Sequence, residues 1–206
     1  MKAADPHREL FVLGLLRRAE LAAYDVDRAM REHVPLYRRF SQGNIYQLVE
    51  RLAENGLLSR RAGAARRGPR EQKWLYAPTA HGERRFHELL RAIMTDVQAS
   101  DVALETALVL LGQLPREEAL ELVTARAGEV ERQERRLKRI YGEEHGAGRG
   151  GAFTRLRIVH RMQSERRYLN EIARLLRDPK WEPDWLAGYA DGTPGGVIDD
   201  VQPHKR

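Results

Sequence analysis

Cysteine is missing from this chain of 206 residues, and its absence excludes several kinds of site. Without thiols there can be no disulfide and no thiolate nucleophile, and a structural zinc site is disfavoured because such sites ordinarily use cysteine ligands. A long apolar run is missing too, since Val102 to Leu111 is interrupted by Glu105 and Thr106 and is shorter than the roughly 20 residues of a membrane-spanning helix. No export signal is visible at the N-terminus. These absences favour a cytoplasmic protein with no membrane partner.

The common catalytic and cofactor motifs are also missing. There is no Gly-x-Ser-x-Gly elbow and no phosphate-binding loop with its lysine, and the seven histidines show no paired metal spacing. Gly146, Gly148 and Gly151 fit a Gly-x-Gly-x-x-Gly pattern, but a charged helical segment precedes them where a nucleotide-binding fold needs a strand. We therefore predict no catalytic residues, no metal site and no cofactor, and we expect that the protein is not an enzyme.

The positive charge of the chain is concentrated in its first part. The net charge is +6, and residues 1–90 hold 17 Lys and Arg against 11 Asp and Glu, whereas residues 91–206 hold 19 of each. A basic first part favours a polyanion such as double-stranded DNA as the partner, with the neutral second part left for another task. The same surplus could instead serve only as a solubilising surface.

The first part contains signals for three short helices. Asp5 and Pro6 favour a helix start, Leu21 to Tyr24 opens a second helix that Pro35 ends, and Ser41 is an N-cap candidate for a third that Gly56 ends. In the third helix four apolar residues recur at helical spacing and would face the core: Ile45, Leu48, Val49 and Leu52.

The other face of the third helix is polar near its N-terminus and carries Gln42, Asn44, Gln47, Glu50 and Arg51. Gln and Asn can make two hydrogen bonds to adenine, and Arg can pair with guanine or phosphate, so this face suits reading of the major groove. An ordinary solvated helix face would have the same composition.

A basic hairpin is predicted directly after this helix. Leu57 to Arg61 and Lys73 to Ala77 are short runs suited to strands, and Gly63 and Gly68-Pro69 lie between them. Six cations lie between Leu58 and Leu75, with Glu71 the only acid: Arg60, Arg61, Arg66, Arg67, Arg70 and Lys73. Clustered cations favour DNA phosphates, although an acidic protein surface would also fit them.

The rest of the chain is predicted to be helical. Thr79 caps a helix with its last apolar residue at Val97, Asp101 to Leu111 forms another, and Arg116 to Tyr141 forms a long one that a glycine-rich break separates from a last helix, Ala152 to Arg177. In the long helix Val123, Val130 and Leu137 repeat every seven residues, which predicts a packing seam, and the two long helices are expected to form an antiparallel pair. Trp181 and Trp185 would either pack the tail against the body or form an aromatic ligand wall, and residues after about 190 lack any periodicity.

Several of these segments, in this order, resemble the PadR family of bacterial transcriptional regulators. They are Leu13-Gly14-Leu15-Leu16, Leu21-Ala22-Ala23-Tyr24-Asp25-Val26, Ser41-Gln42-Gly43-Asn44-Ile45-Tyr46, Leu52-Ala53-Glu54-Asn55-Gly56-Leu57-Leu58, Arg67-Gly68-Pro69-Arg70-Glu71-Gln72-Lys73-Trp74-Leu75-Tyr76 and Thr79-Ala80-His81-Gly82. The chain departs from the family at Ala22-Ala23, where a His-Gly pair is usual, and at Asn44, where a hydroxyl or small residue is common.

The resemblance implies a mainly α fold with three parts: a winged helix-turn-helix DNA-binding domain with a small β-hairpin wing over residues 1–98, an α-helical dimerisation and effector domain over residues 99–188, and a flexible tail over residues 189–206. It implies a homodimeric repressor that binds a pseudo-palindromic operator and is released by a small-molecule effector. A winged-helix adaptor that binds proteins without specific DNA binding is the alternative.

The site residues follow from this reading. Gln42, Asn44 and Gln47 are expected to read bases, while Tyr46, Arg51 and the six hairpin cations hold the DNA backbone. The residues assigned to the dimer interface are Val123, Val130, Leu137, Leu156, Val159, Leu169 and Ile172.

Overall fold

A computed structural model describes residues 5–33, 45–63, 73–143 and 149–180. Within these ranges the element order is α1 (Pro6–Leu16), α2 (Ala23–His33), α3 (Ile45–Glu54), β1 (Leu58–Ala62), β2 (Trp74–Pro78), α4 (Ala80–Thr95), α5 (Asp101–Leu110), a short 3-10 helix (Leu111–Gln113), α6 (Arg116–Glu143) and α7 (Arg149–Arg177). The predicted mainly α fold with one small β-hairpin is confirmed. No helix in the described ranges is long and apolar enough to cross a membrane.

The described chain forms two compact units, and the division falls within α4, between Phe86 and His87. In the first unit α1 is the central helix, because Glu9 to Leu16 are all buried. A helix that is apolar around most of its circumference must be surrounded by other elements. Here α2 and β2 pack against α1, while α3 packs against α2 and β1.

Two details at the start of this unit differ from the sequence prediction. The Asp5 side chain makes no capping hydrogen bond to α1, and its carboxylate lies 2.6 Å from His7 Nδ1 instead. The second helix begins at Ala23 and not at Leu21, because the Leu21 carbonyl accepts a hydrogen bond from the Tyr76 backbone N–H at 3.0 Å. Leu21 thereby extends the hairpin by one isolated bridge.

The second unit is built around the antiparallel pair of α6 and α7, as predicted. Arg116 near the start of α6 donates to the Leu176 carbonyl at 3.0 Å, Arg126 donates to Glu165 at 2.9 Å, and Glu134 accepts from Gln163 at 3.0 Å. Because the start of α6 contacts the end of α7, the two helices run in opposite directions. The last helix begins at Arg149, three residues before the predicted start at Ala152, so Gly150 and Gly151 are helical.

The heptad seam of α6 packs inside the single chain. Val123 and Val130 are buried, as is Leu169 of α7, whereas Leu137, Val159 and Ile172 are partly exposed and Leu156 is exposed. Three of the seven residues assigned to a dimer interface are therefore core residues of this unit. The interface assignment itself stays a prediction, and the exposed large apolar side chains available to it on α6 and α7 are Ile140, Phe153, Leu156 and Tyr168.

Glu134 is a buried acid within this seam, with 3% of its surface exposed. Its carboxylate accepts hydrogen bonds from Lys138 Nζ at 2.5 Å and Gln163 Nε2 at 3.0 Å, and Arg166 Nε lies 3.5 Å away. The Lys138 hydrogen bond is the largest of the contributions that lower the pKa of Glu134 below its ordinary value of 4.5. The ionised carboxylate thus stabilises the pairing of α6 with α7.

The Glu134→Gln variant is expected to be less stable than the wild type at pH 7, with a gap that depends on pH. Because folding lowers the pKa of Glu134, its contribution is fully present above pH 4.5 and is lost as the pH falls through the folded-state pKa. Thermal unfolding of both proteins from neutral to acidic pH checks this. A gap that widened with acid would contradict the assignment.

Candidate DNA-binding surface

The third helix presents one polar face and buries the other. Ile45, Leu48, Val49 and Leu52 are buried, while Tyr46, Gln47 and Arg51 are exposed, as the spacing predicted. The helix ends before Gly56, whose φ of +70° is the left-handed conformation that favours glycine. Three predicted DNA contacts are thus brought onto a single exposed helix face. Ser41, Gln42 and Asn44 lie outside the described residues.

The wing follows α3 after a tight connection. β1 and β2 pair antiparallel in the register Leu58 with Pro78, Arg60 with Tyr76, and Ala62 with Trp74. Arg60 and Arg61 are exposed on β1, and Lys73 precedes β2. Arg66, Arg67 and Arg70, the other predicted wing cations, lie outside the described residues.

Each of the three described wing cations faces a carboxylate of the same unit. Arg61 Nε donates to Glu20 Oε2 at 2.6 Å, Lys73 Nζ lies 3.0 Å from Asp25 Oδ2, and Arg60 Nη1 lies 3.6 Å from Glu50 Oε2. The hydrogen bond from Arg61 is the main reason that the pKa of Glu20 is lowered below its ordinary value. These acids hold the strands of the wing, near its loop, to the turn before α2, to α2 and to α3.

Two aromatic residues of β2 complete the junction. Tyr76 is buried, and its hydroxyl donates a hydrogen bond to Glu50 Oε1. Burial, followed by this bond to an acid, raises the pKa of Tyr76 to about 12, so the hydroxyl keeps its proton and remains a donor. The Arg60 guanidinium lies 5.0 Å from the centre of the Trp74 ring, within the range of a cation–π contact. Glu50 therefore links the exposed helix face to the wing.

A second junction fixes the base of the wing, where α3, the strands and α4 meet. Thr79 Oγ1 accepts from the Gly82 N–H at 3.1 Å, which confirms the predicted cap of α4, and donates to the Gly56 carbonyl at 2.7 Å. The Thr79 N–H donates to the Leu57 carbonyl at 3.0 Å. Hydrogen bonds and ion pairs thus hold both the helix face and the hairpin, and this arrangement suits contact with a rigid duplex.

The carboxylates Glu20 and Asp25 were not predicted as site residues. In the sequence, Glu20 is 41 positions from the cation it holds, so local spacing gives no sign of the pair. Glu50 was placed on the polar face of α3, but its bond to Tyr76 depends on strand register. Elsewhere in the described ranges, no group of His, Asp and Glu side chains is arranged to hold a metal ion.

Residues 12–88 match the family described as the transcriptional regulator PadR-like family. Among solved structures, the chain is similar to Bacillus subtilis PadR in complex with operator DNA, with 21% sequence identity and a TM-score of 0.36. The match covers 82% of this chain and 98% of that chain. It is similar to the same regulator in complex with p-coumaric acid, at 21% identity, 85% and 99% coverage and a TM-score of 0.35.

A PadR-like transcriptional regulator from Bacillus cereus is similar at 19% identity, with 86% of this chain and all 100% of that chain covered and a TM-score of 0.33. No curated protein sequence matches the chain.

Proposed function

We propose that the chain, whose residues 12–88 match the PadR-like family of transcriptional regulators, is a DNA-binding regulator and not an enzyme, and that it acts as a homodimeric repressor. In this proposal it binds a pseudo-palindromic operator in the cytoplasm and is released by a small-molecule effector. The observation that carries the proposal is the exposed face of α3, with Tyr46, Gln47 and Arg51, beside a basic wing.

The residues of this surface take two roles in the proposal. Gln47 reads a base, because an amide can donate and accept toward one base edge in the major groove. Arg51, Arg60, Arg61 and Lys73 contact phosphates, which supply affinity without sequence information. Since Arg61 and Lys73 already face Glu20 and Asp25, a phosphate must share or displace a carboxylate at each of them.

The proposal includes a dimer because specific binding needs a large contact area with DNA. A single winged helix covers little DNA, and two copies on one operator supply the contact area that specific binding needs. The exposed apolar residues Ile140, Phe153, Leu156 and Tyr168 are the proposed dimer contacts in this unit. The p-coumaric acid named for the B. subtilis structure supports a small-molecule effector as the means of release.

If Gln47 contacts a base, its replacement should reduce discrimination between operator sequences more than it reduces affinity for random DNA. Operator fragments are first selected from chromosomal DNA, and affinities are then measured by fluorescence anisotropy over a range of salt. Gln47→Ala is expected to lose about 1–3 kcal/mol of discrimination at one operator position while random-sequence affinity is kept. Arg61→Gln should weaken binding to all sequences and reduce the salt slope by up to about one.

Arg84→Gln is the charge-matched control, because Arg84 is exposed on α4 and is not among the residues of the proposed DNA-binding surface. If Gln47→Ala weakened binding equally on every sequence, the base-reading role would be lost. A wild-type protein that remained monomeric on its operator in analytical ultracentrifugation would remove the dimer from the proposal.

A further inference from the structure

Residues 91–206 hold equal numbers of acidic and basic residues, but the two kinds lie in different segments. Residues 91–131 hold 3 Lys and Arg against 8 Asp and Glu, whereas residues 132–167 hold 11 against 4. The positive stretch covers the end of α6 and the first two thirds of α7. Because the two helices run antiparallel, these segments lie at the same end of the pair. The positive charge of this half is therefore concentrated at that end.

A groove of about 750 Å³ lies between α6 and α7 in this region. Its apolar lining includes Leu137, Ile158 and Met162, and four arginines line it as well: Arg132, Arg136, Arg157 and Arg161. The volume falls in the range of about 300–1,000 Å³ that is typical of sites for organic ligands. Apolar walls with a few charged groups are also typical of such sites.

Three of these arginines, Arg136, Arg157 and Arg161, lack acidic partners within the part of the chain that the structure describes. Two acids line the groove, but Glu129 pairs with Arg132 at 2.6 Å and Glu165 pairs with the buried Arg126 at 2.8 Å. No ion pair is found for Arg136, Arg157 or Arg161 with any described residue. Guanidinium groups that share a groove repel each other, and a bound anion relieves that repulsion.

We propose that this groove binds an amphipathic organic anion, in which a carboxylate, sulfonate or phosphate group is joined to an apolar body. The anionic group takes bidentate hydrogen bonds from Arg136, Arg157 or Arg161, since the planar guanidinium fork matches an oxyanion. The apolar body replaces water along Leu137, Ile158 and Met162. An inorganic anion would satisfy the charge but would leave these apolar walls in contact with water.

The groove also adjoins a buried contact through which a ligand could act. Glu165 lines the groove and holds Arg126, and Arg126 in turn donates to the carbonyls of Ile93, Met94 and Asp96 at the C-terminal end of α4. An anion beside Glu165 disfavours its present position by repulsion and so loosens the contacts at the end of α4. This regulatory consequence rests on the proposed function, whereas binding in the groove does not.

The test uses the full chain and the dye 8-anilinonaphthalene-1-sulfonate, an aromatic sulfonate that fluoresces in apolar surroundings. Saturable binding of one dye per chain is expected. The triple variant Arg136→Gln, Arg157→Gln, Arg161→Gln should weaken it at least about tenfold, or about 1.4 kcal/mol. N-phenyl-1-naphthylamine, which has the same rings without the sulfonate, should also bind about tenfold more weakly than the sulfonate.

The matched control removes three cations of the same helices that do not line the groove, Arg135, Arg139 and Arg167, all of them exposed. Its dye affinity should stay within about twofold of the wild type. Circular dichroism confirms that each variant is folded, and the single variant Arg157→Gln replaces the triple variant if that one is not.

Four outcomes overturn the proposal: no binding to the folded wild type, equal loss in the control, binding that appears only when the protein dissociates to monomers, or displacement of the dye by random-sequence duplex DNA. The third would assign the groove to a second copy of the chain and the fourth to DNA. The titration itself contains no DNA, so a failure of the proposed operator binding would leave its result unaffected.

Discussion

Gly82→Ala is expected to destabilise the first unit by about 3 kcal/mol and to lower its melting temperature by more than about 10 °C. A Cβ atom at Gly82 would lie 2.1 Å from the Leu57 carbonyl oxygen and 3.3 Å from Pro78 Cβ. The nearest atom belongs to the backbone, so no side chain can rotate to make room. Relief requires α4 to move away from the base of the wing, which breaks the bonds of Thr79 to Gly56 and Leu57.

Gly128→Ala is the matched control, because it is the same substitution inside helix α6. The added Cβ would find its nearest neighbour, the Arg132 side chain, at 3.6 Å, which is an ordinary contact distance. This variant should be more stable than the wild type by up to about 1 kcal/mol, since alanine favours helix more than glycine does. Thermal unfolding of both variants measures the contrast. Equal stability of Gly82→Ala and the wild type would refute the close approach.

Arg126→Met is expected to cost the second unit about 3–5 kcal/mol. Arg126 is only 2% exposed, and its guanidinium binds Glu165 at 2.8 Å together with the backbone carbonyls of Ile93, Met94 and Asp96 at 2.9 to 3.2 Å. Methionine fills a similar volume but donates no hydrogen bond. The variant leaves a largely buried carboxylate and three helix-end carbonyls without this partner, and urea denaturation measures the loss.

Arg132→Met provides the comparison for Arg126→Met. Arg132 is exposed and pairs with Glu129 on the same helix, so this variant should lose no more than about 0.5 kcal/mol. Combining Arg126→Met with Glu165→Leu should recover part of the loss, because the uncompensated charge is removed while the carbonyls remain unpaired. If Arg126→Met lost as little unfolding free energy as Arg132→Met, the buried contacts of Arg126 would not stabilise the second unit.

Local patterns in the sequence predicted the described elements of the candidate DNA-binding surface well. The apolar spacing of Ile45, Leu48, Val49 and Leu52, with Gly56 after them, predicted both where α3 ends and which of its faces is exposed. The hairpin was predicted from two short apolar runs separated by glycines. These features depend on residues a few positions apart, so the physical cause is contained within a short window.

Contacts between distant residues could not be predicted in the same way. The pairs Arg61 with Glu20 and Lys73 with Asp25 depend on the packing of the hairpin against the start of α2, which no local pattern encodes. A heptad spacing has a similar ambiguity. Val123 and Val130 predicted a seam correctly, but the same spacing serves a helix of one chain or of another, and here α7 of the same chain contributes to covering it.

If the wing contacts DNA as proposed, the carboxylates that face Arg60, Arg61 and Lys73 have a consequence for how the protein searches for its target. A phosphate that displaces Glu20 from Arg61 replaces one anion by another, so each such contact gains less free energy than a bare guanidinium would. Weak contacts break quickly, and a protein that scans many non-specific sites then spends less time on each. Only a sequence that also engages the exposed face of α3 would hold it longer. The acids that face the wing cations would thus set the residence time on wrong DNA.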